Sequence, residues 1–304
     1  MQLLQKLLPT IINIQEIPNK SFIEKEVSLH MLRLDEIDPV VSGNKLFKLQ
    51  NFIKEALSSQ KKIITFGGAF SNHLAATAAM CKELQIENIA IVRGEKPASL
   101  SHTLKACKKN GMQLEFISRQ AYRLINQQDF LNELQNKYGD HILIPEGGFS
   151  TTGVEGAAGI AGLYRAYNFS HICCAAGTAT TLAGLVKASA PGQQIIGFSA
   201  LKNPDDFYDR MQLLLPGDDH KNYVLVKDYH FGGYAKTNKA LFDFMNSFFE
   251  EYKIPTDFIY TAKMMYGIFD LIEKDFFLPK SKILCIHTGG LQGNLSLKKG
   301  MLNF

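Results

Sequence analysis

The sequence predicts an α/β fold with open, mostly parallel twisted sheets flanked by helices. From residue 62 onwards, short apolar runs of strand length alternate with runs in which apolar residues recur at helical spacing. The runs at 62–66 and 171–176 end in glycine-containing turns that lead directly into helical runs. Strands and helices that alternate in this way form parallel sheets with helices on both faces.

The predicted elements follow one another without an internal repeat, a low-complexity segment or a Pro/Gly-rich linker. A strand at 26–34 ends in an acidic turn at 35–39 and precedes a helix at 45–60. Strands are then predicted at 62–66, 88–92, 113–117, 141–144, 171–176, 194–199, 223–226 and 282–287. Helices are predicted at 72–84, 101–110, 130–138, 154–167, 180–189, 236–252 and 262–274.

Composition excludes several classes of function. The 304-residue chain is 46% apolar and 20% charged, as globular proteins are, and is long enough for two lobes. Its net charge of +4 is spread along the chain, so we expect no nucleic-acid partner. The five cysteines lie in apolar runs without CxxC spacing, which favours reduced thiols and no bound metal. Residues 1–12 lack the length of a membrane span and an export cleavage site, so we expect a cytoplasmic protein without membrane contact.

The segment 42–49, Ser-Gly-Asn-Lys-Leu-Phe-Lys-Leu, places Lys45 and Lys48 in the first turn of the predicted helix. The partial positive charge of a helix N-terminus disfavours an ammonium there, which lowers the lysine pKa. A lysine with a lowered pKa is a nucleophile that can form a Schiff base with an aldehyde. Taken alone, however, the segment favours two solvated surface lysines.

Two further segments follow predicted strands. Gly67 and Gly68 allow a sharp strand exit, after which Ser71, Asn72 and His73 begin a helix, where ligands of parallel sheets bind. Ser71 could equally be an ordinary N-cap.

The second of these segments lies at 173–184. Gly177, Thr178, Ala179, Thr180 and Thr181 offer backbone N–H groups and hydroxyls suited to a phosphate. The spacing matches neither a P-loop nor a dinucleotide fingerprint. A tight strand–helix turn with threonine caps remains an alternative, but the three hydroxyls that follow Gly177 favour a phosphate.

Together these segments resemble the tryptophan synthase β-like (fold type II) pyridoxal-phosphate (PLP) enzymes. Within them, the chain is similar to the group of 1-aminocyclopropane-1-carboxylate (ACC) deaminase and D-cysteine desulfhydrase. Six motifs occur in the family order between about residues 30 and 295, and Ala262 stands where the family usually has glycine. They are Gly43-Asn44-Lys45-Leu46-Phe47-Lys48-Leu49, Ser71-Asn72-His73, the loop at 177–181, Gly233-Tyr234, Tyr260-Thr261-Ala262-Lys263 and His287-Thr288-Gly289-Gly290.

The resemblance implies a role for each segment. Lys45 would be the Schiff-base lysine and the acid/base at the substrate carbons, and Lys48 a charge partner of the cofactor phosphate. The loop at 177–181 would bind that phosphate without a dedicated arginine. Asn72 would bond the 3′ oxygen of the cofactor.

On the substrate side, the resemblance implies that Ser71, Asn72 and His73 hold the carboxylate. Ser71, Tyr234 and Tyr260 would join Lys45 as catalytic side chains, the tyrosines as proton donors or nucleophile partners.

The resemblance also implies two lobes, a homodimer and a small amino-acid substrate. We expect a small α/β lobe at 49–155 inserted into a large cofactor-binding lobe at 1–48 and 156–304. In ACC deaminases the positions of Thr261 and Thr288 carry Glu and Leu, whereas desulfhydrases carry Ser or Thr, and Thr. The resemblance therefore implies pyridine-nitrogen contacts from Thr261 or Thr288.

These two positions also favour D-cysteine β-elimination to pyruvate, hydrogen sulfide and ammonia. ACC deamination to 2-oxobutanoate and ammonia is the alternative, followed by a D-serine-type deaminase and a non-catalytic PLP-binding homologue. A phosphosugar-binding protein would explain the loop at 177–181 but not Lys45.

Overall fold

The computed structural model describes residues 12–38, 41–217 and 222–304, and the ranges given below refer to these residues. Within them the strands form a six-stranded sheet and a four-stranded sheet. The apolar stretch at residues 1–11 and the Pro39 end of the predicted acidic turn lie outside the described residues. Each sheet contributes loops to the candidate site.

The larger sheet has the order β1-β2-β10-β7-β8-β9. Only the edge pair β1–β2 is antiparallel among its described pairs. In parallel strands the carboxyl ends meet at one edge, so the loops after β7 and β10 emerge side by side. The strands are β1 Ile14–Glu16, β2 Ser28–Leu32, β7 His171–Ala176, β8 Gln194–Ser199, β9 Tyr223–Val226 and β10 Lys282–Ile286.

The smaller sheet is parallel throughout its described pairs and has the order β5-β4-β3-β6. Its strands are β3 Lys62–Gly67, β4 Asn88–Arg93, β5 Gln113–Ile117 and β6 His141–Ile144. All of them fall inside the segment 49–155, and the larger sheet is built from residues outside it. The lobe boundaries themselves stay a prediction.

Helices cover both sheets, as the alternation predicts. They are α1 Lys20–Glu24, α2 Asn44–Ser59, α3 Asn72–Glu83, α4 His102–Lys109, α5 Arg119–Tyr122, α6 Gln128–Tyr138, α7 Thr151–Ala158, α8 Thr180–Lys187, α9 Phe207–Leu214, α10 Lys239–Tyr252 and α11 Thr261–Glu273. Helix α2 begins beside the larger sheet and leads directly into β3 of the smaller one. It therefore joins the two sheets covalently.

The predicted helix at 154–167 is wrong in its limits. Helix α7 begins earlier, because the Ser150 hydroxyl accepts the N–H of Gly153 as an N-cap, and it ends at Ala158. A 3₁₀ segment at Gly159–Leu163 follows. Glycine at 156 serves close packing, since a Cβ there would lie 2.1 Å from the carbonyl oxygen of Phe47. The short elements β1, α1, α5 and α9 have too few apolar repeats to be predicted.

The five cysteines are buried and free, as predicted. Burial raises the pKa of the Cys81, Cys107 and Cys174 thiols to about 12. It also raises the thiol pKa of Cys173 and Cys285, which are neighbours on β7 and β10. Among the described helices, none has both the length and the apolar character needed to cross a membrane.

Candidate active site

The first turn of α2 lies against the loop that follows β10. Gly43 has φ +70°, and a Cβ there would lie 1.9 Å from the carbonyl oxygen of Thr288. Only glycine fits this close approach without strain. The backbone N–H of Asn44 donates to the same carbonyl oxygen at 3.4 Å, and the Lys45 amine donates to it at 3.0 Å. The β10 exit loop therefore fixes the start of α2.

Lys45 and Lys48 are both buried, which decides between the two interpretations that the sequence left open. Burial lowers the pKa of Lys45 to about 8, and the charge of Asp257 partly offsets this. Burial and then the charge of Lys45 lower the pKa of Lys48 to about 7. The direction agrees with the prediction, but the main cause is desolvation. An amine with such a pKa is partly unprotonated near neutral pH and can act as a nucleophile.

Helix α3 begins with an anion-binding arrangement. The Ser71 hydroxyl caps the helix by accepting the N–H of Leu74 at 3.3 Å. The N–H groups of Asn72 and His73 have no acceptor within the helix, because they belong to its first turn. The side-chain amide of Asn72 donates weakly to Gly290 at 3.5 Å, and its Oδ1 is buried without a partner among the described residues. A carboxylate fits such a helix start.

The tautomer of His73 follows from its neighbours. The Thr65 hydroxyl donates to the carbonyl oxygen of Ile144 at 2.9 Å, so it cannot also donate to the imidazole. His73 Nε2, 2.8 Å from Thr65 Oγ1, must therefore carry the proton. Burial and then the charges of Lys48 and Lys45 lower the His73 pKa to about 3. Nδ1 remains an acceptor without a described partner, which suits an ammonium or thiol and not a carboxylate.

The loop from Gly177 leads into the first turn of α8, where the phosphate site is predicted. Ala179 adopts φ +69° as the N-cap of α8, a left-handed conformation of the kind that occurs in anion-binding backbone turns. The Thr181 hydroxyl accepts a 2.6 Å hydrogen bond from the Asn44 side chain, which ties this loop to α2. The Thr178 and Thr180 hydroxyls lie 3.2 Å apart. The Lys48 amine donates at 2.8 Å to the carbonyl oxygen of Gly147, whose Cα lies against Thr178.

Tyr234 and Tyr260 line the same cavity, and Tyr260 packs against Gly177. Their rings meet edge to face with centroids 6.1 Å apart. Burial and the neighbouring hydroxyl raise the pKa of Tyr260 well above its ordinary value. Burial also raises the pKa of Tyr234, although Tyr234 is 49% exposed by accessible surface. Both phenols therefore keep their protons at neutral pH.

Two buried residues without a predicted role, Asp257 and Lys263, hold the tyrosines. Asp257 accepts the N–H groups of Ile259, Tyr260 and Thr261, the last two at 2.9 Å. The Lys263 amine donates to the carbonyl oxygens of His230 at 2.9 Å and Gly233 at 2.8 Å. Burial lowers the pKa of Lys263 to about 8, against the charge of Asp257. Lys263 thereby closes the turn that carries Tyr234.

The two lysines of α2, the start of α3, the loop after β7 and the tyrosine pair line one cavity of about 540 Å³. Most predicted site residues lie in its wall, but Thr180 and Thr261 are not among the lining residues. Thr180 is fully buried, and the Thr261 hydroxyl donates to Asp257 at 2.8 Å, away from the cavity. The predicted residues that line the cavity are Lys45, Lys48, Ser71, Asn72, His73, Gly177, Thr178, Ala179, Thr181, Tyr234, Tyr260 and Thr288.

Several polar lining residues were missed by sequence reasoning. Asn44 could have been found, because it adjoins Lys45 in a recognised motif. Arg93, Glu146 and Arg210 belong to none of the six motifs. Arg93 ends β4, Glu146 follows β6, and Arg210 lies on α9. The cavity wall thus holds two arginines, Arg93 and Arg210, besides Lys45 and Lys48. Binding of the phosphate without a dedicated arginine stays a prediction.

The arrangement fits PLP. The amine of Lys45 is buried and nucleophilic, as attachment to the aldehyde requires. The N-terminus of α8 and Lys48 present N–H groups and positive charge to a phosphate. A Cβ on Gly290 would lie 2.8 Å from Asn72 Nδ2 and 3.8 Å from the Lys45 amine, so both side chains border the turn at Gly290. Asn72 lines the cavity, and its buried Oδ1, without a partner among the described residues, would be available to the cofactor.

Comparison of this chain with known proteins also indicates a PLP enzyme. The family model of pyridoxal-phosphate dependent enzymes matches residues 22–289. The chain is 30% identical to the bifunctional D-cysteine desulfhydrase/1-aminocyclopropane-1-carboxylate deaminase, mitochondrial, of Arabidopsis thaliana over 94% of this chain and 77% of that one. It is 28% identical to a D-cysteine desulfhydrase of Klebsiella pneumoniae over 85% of this chain and 86% of that one.

A solved structure described as an ACC deaminase homologue has a TM-score of 0.79 and 27% identity, covering 95% of this chain and 92% of that one. The predicted fold type, family and cofactor are thus confirmed, whereas the individual residue roles stay predictions. The match over residues 22–289 and the 30% identity over almost the whole chain show that this protein belongs to the pyridoxal-phosphate dependent enzymes of fold type II.

Proposed function

We propose that this enzyme catalyses β-elimination from a small amino acid and prefers D-cysteine, giving pyruvate, hydrogen sulfide and ammonia. The observation that carries the proposal is the meeting of Lys45, the Ser71–His73 helix start and the Tyr234–Tyr260 pair in one cavity. This set supplies a base, a carboxylate site and a proton donor. Relatives named for D-cysteine desulfhydration support the choice of reaction.

Each group has one task in this reaction. The N–H groups of Asn72 and His73 and the Ser71 hydroxyl hold the substrate carboxylate. Bound PLP supplies an electron sink for the α carbon. Lys45, with its lowered pKa, takes and returns the proton at the substrate carbons. The Tyr234 hydroxyl, still protonated because its pKa is raised, gives a proton to the departing sulfur.

Thr288 supports a sulfur leaving group over a cyclopropane ring. A carboxylate beside the pyridine nitrogen would keep that nitrogen protonated and strengthen the electron sink, which a carbon leaving group needs. A thiolate leaves more easily, so a neutral hydroxyl suffices. Thr288 lines the cavity, whereas the Thr261 hydroxyl is engaged by Asp257. Of the two predicted contacts we therefore favour Thr288.

ACC deamination is the second candidate. The tyrosine pair is a proton source that ring opening at a carbon atom could use, and the Arabidopsis relative carries both names. D-Serine deamination ranks third, because hydroxide is a poorer leaving group than thiolate.

Steady-state kinetics of the PLP-loaded enzyme on D-cysteine, L-cysteine, D-serine and ACC decide among these candidates. We expect the highest kcat/KM on D-cysteine and at least about a tenfold lower value on ACC, which corresponds to about 1.4 kcal/mol. A higher value on ACC overturns the choice. Thr288→Val should lower kcat and shift the cofactor absorbance, while the matched Thr261→Val should mainly reduce stability through Asp257.

The setting that we propose is a cytoplasmic homodimer. Five buried free thiols suit a reducing compartment, and the family resemblance implies the dimer. Light scattering on a size-exclusion column would measure the mass directly. A monomer at micromolar concentration would contradict the proposed dimer.

A further inference from the structure

Two charged side chains of the cavity wall have no task in the proposed reaction. The helix start at Ser71 accounts for the substrate carboxylate, and Lys48 with the loop at 177–181 accounts for the phosphate. Arg210 is held by Asp206 at 2.5 Å. Arg93 and Glu146 remain, a cation and an anion. Neither forms an ion pair with any described residue, and both lie beside Tyr122.

Arg93 is the last residue of β4 and reaches over the loop that holds the substrate carboxylate. Its guanidinium lies over the ring of Tyr122, with the central carbon 5.4 Å from the ring centroid. A Cβ on Gly68 would lie 3.4 Å from Arg93 Nη2. The aromatic ring thus holds the cation in place beside the turn that precedes Ser71. A planar guanidinium with its donors open binds a carboxylate in two-point geometry.

Glu146 follows β6 and lies in the turn whose next residue, Gly147, accepts the Lys48 amine. The Glu146 carboxylate and Arg93 both affect the pKa of two tyrosines, Tyr122 and Tyr234. Burial is the main cause that raises the pKa of Tyr122 and Tyr234, and on both phenols Glu146 adds to the rise while Arg93 opposes it. The two opposite charges line the same cavity as Tyr234, the proposed proton donor to the leaving group.

We propose that Arg93 and Glu146 form a subsite for a zwitterionic leaving group. The enzyme would then discriminate among thioether amino acids in favour of those whose sulfur carries a second amino-acid head group. This inference rests on the proposed function and names a substrate class for it, in addition to D-cysteine. Arg93 would take the carboxylate of the leaving group, and Glu146 its ammonium.

Charge complementarity explains why other thioethers bind less well. A methyl leaving group can pair with neither the exposed Arg93 nor the half-buried Glu146, so it gains no charge-assisted hydrogen bond. A carboxymethyl group pairs with Arg93 but meets the negative charge of Glu146. Only a group with both charges satisfies both side chains.

The reaction balances without a further reactant. For lanthionine, the bond between Cβ and sulfur breaks, its electron pair leaves with sulfur, and sulfur takes a proton. The α proton is lost to the base, and the remaining three-carbon unit is hydrolysed by water. Lanthionine and water thus give cysteine, pyruvate and ammonia.

The test compares kcat/KM for pyruvate formation by the holoenzyme from meso-lanthionine and from both enantiomers of S-methylcysteine and S-carboxymethylcysteine. We expect meso-lanthionine to exceed both monosubstituted thioethers by roughly tenfold or more. Arg93→Gln and Glu146→Gln should each lower the ratio of lanthionine to S-methylcysteine by about tenfold. Lys96→Gln and Glu95→Gln, exposed charges in the loop after β4, are matched controls and should preserve the ratio.

Three outcomes overturn the subsite: a wild-type ratio near one, an unchanged ratio in both Arg93→Gln and Glu146→Gln, or an equal loss in the controls. If the enzyme turns over D-cysteine but the ratio of kcat/KM for lanthionine to that for S-methylcysteine is near one, the proposed function stands and only the subsite is refuted. If no amino acid yields a 2-oxo acid, the proposed function is wrong. Calorimetry then tests the subsite separately, because meso-lanthionine must still bind more tightly than S-methylcysteine to the PLP-loaded wild type and lose that advantage in Arg93→Gln.

Discussion

The Lys45 amine donates a 3.0 Å hydrogen bond to the carbonyl oxygen of Thr288, across 243 positions of the chain. The same oxygen accepts the backbone N–H of Asn44 and lies against the Cα of Gly43. One carbonyl group after β10 thus positions both the backbone and the side chain of the lysine segment. The lysine can take its place only when the final strand of the larger sheet is folded.

This contact predicts that Gly43→Ala is far more costly than an alanine at another glycine with positive φ. Gly111 has φ +86° and no atom within 4 Å of the place that an alanine methyl group would take, so Gly111→Ala should cost only the backbone strain, about 1–2 kcal/mol. Gly43→Ala adds a clash with Thr288 and should cost at least about 1–3 kcal/mol more. Urea unfolding of both variants measures the difference. Equal losses would show that the Thr288 contact is not a constraint.

Lys45 and Lys48 should separate in a labelling experiment. Lys45 is expected to carry the cofactor, so Lys45→Ala should abolish both the visible absorbance and the activity. Lys48→Ala should keep the absorbance but weaken PLP retention, because it removes a charge near the phosphate. Borohydride reduction and peptide mapping identify the attached residue. A pyridoxyl group found on Lys48 would contradict the prediction that Lys45 forms the Schiff base.

The buried Lys48 predicts a pH-dependent stability of the apoprotein. Its folded pKa of about 7 lies below its ordinary value of 10.5, so between these values the unfolded chain binds more protons. The free energy of unfolding must therefore rise with pH above about 7, by up to ~1.4 kcal/mol per pH unit for one such group. Lys45, with a folded pKa of about 8, should add to the rise above that pH.

Lys48→Met should be stabilising at pH 7 and should flatten this rise. Denaturant unfolding at pH 7, 8 and 9 measures it. Lys54→Met, on the same helix but partly exposed, is the matched control and should leave the slope unchanged. A wild-type apoprotein that loses stability between pH 7 and 9 would contradict the burial of an unprotonated amine.

Lys263 should act as a positioning residue for Tyr234. Lys263→Met keeps the volume of the side chain but removes both donors to the turn at His230 and Gly233. We expect kcat to fall by roughly tenfold or more, as when proton transfer is misplaced, with KM and PLP absorbance little changed. Lys274→Met, at the end of the same helix, is the control.

The pH profile distinguishes this role from a general loss of structure. If Tyr234 is misplaced, the limb of the kcat profile that depends on a proton donor should shift in Lys263→Met and not in Lys274→Met. A proportional loss of kcat at all pH values, together with lost PLP, would instead indicate a damaged fold.

The parts of the site that are local in the chain could be predicted from the sequence. Ser71, the loop at 177–181 and the lysine pair were found because strand exits and helix starts are written in a few adjacent residues. The orientation of Thr261 could not be found, since Asp257 determines it by accepting both its N–H and its hydroxyl. The acceptor role of His73 likewise depends on Thr65, a residue of a different element.

The charged residues of the cavity wall could not be predicted from the sequence for a different reason. Arg93 ends one strand of the smaller sheet and Glu146 follows another, and each is an unremarkable charged residue in its own segment. Only the parallel order of β4, β3 and β6 brings their carboxyl ends to the same side. Sheet order, in contrast to the presence of strands, is not encoded in local periodicity.

The burial of the five thiols has a chemical consequence for an enzyme that would release sulfide or a thiol. Such products, once oxidised by air, exchange with any accessible thiolate. With raised pKa values and no exposed sulfur, Cys81, Cys107, Cys173, Cys174 and Cys285 stay protonated and sterically shielded. Burial would thereby protect the thiols of the folded protein from exchange with such a product.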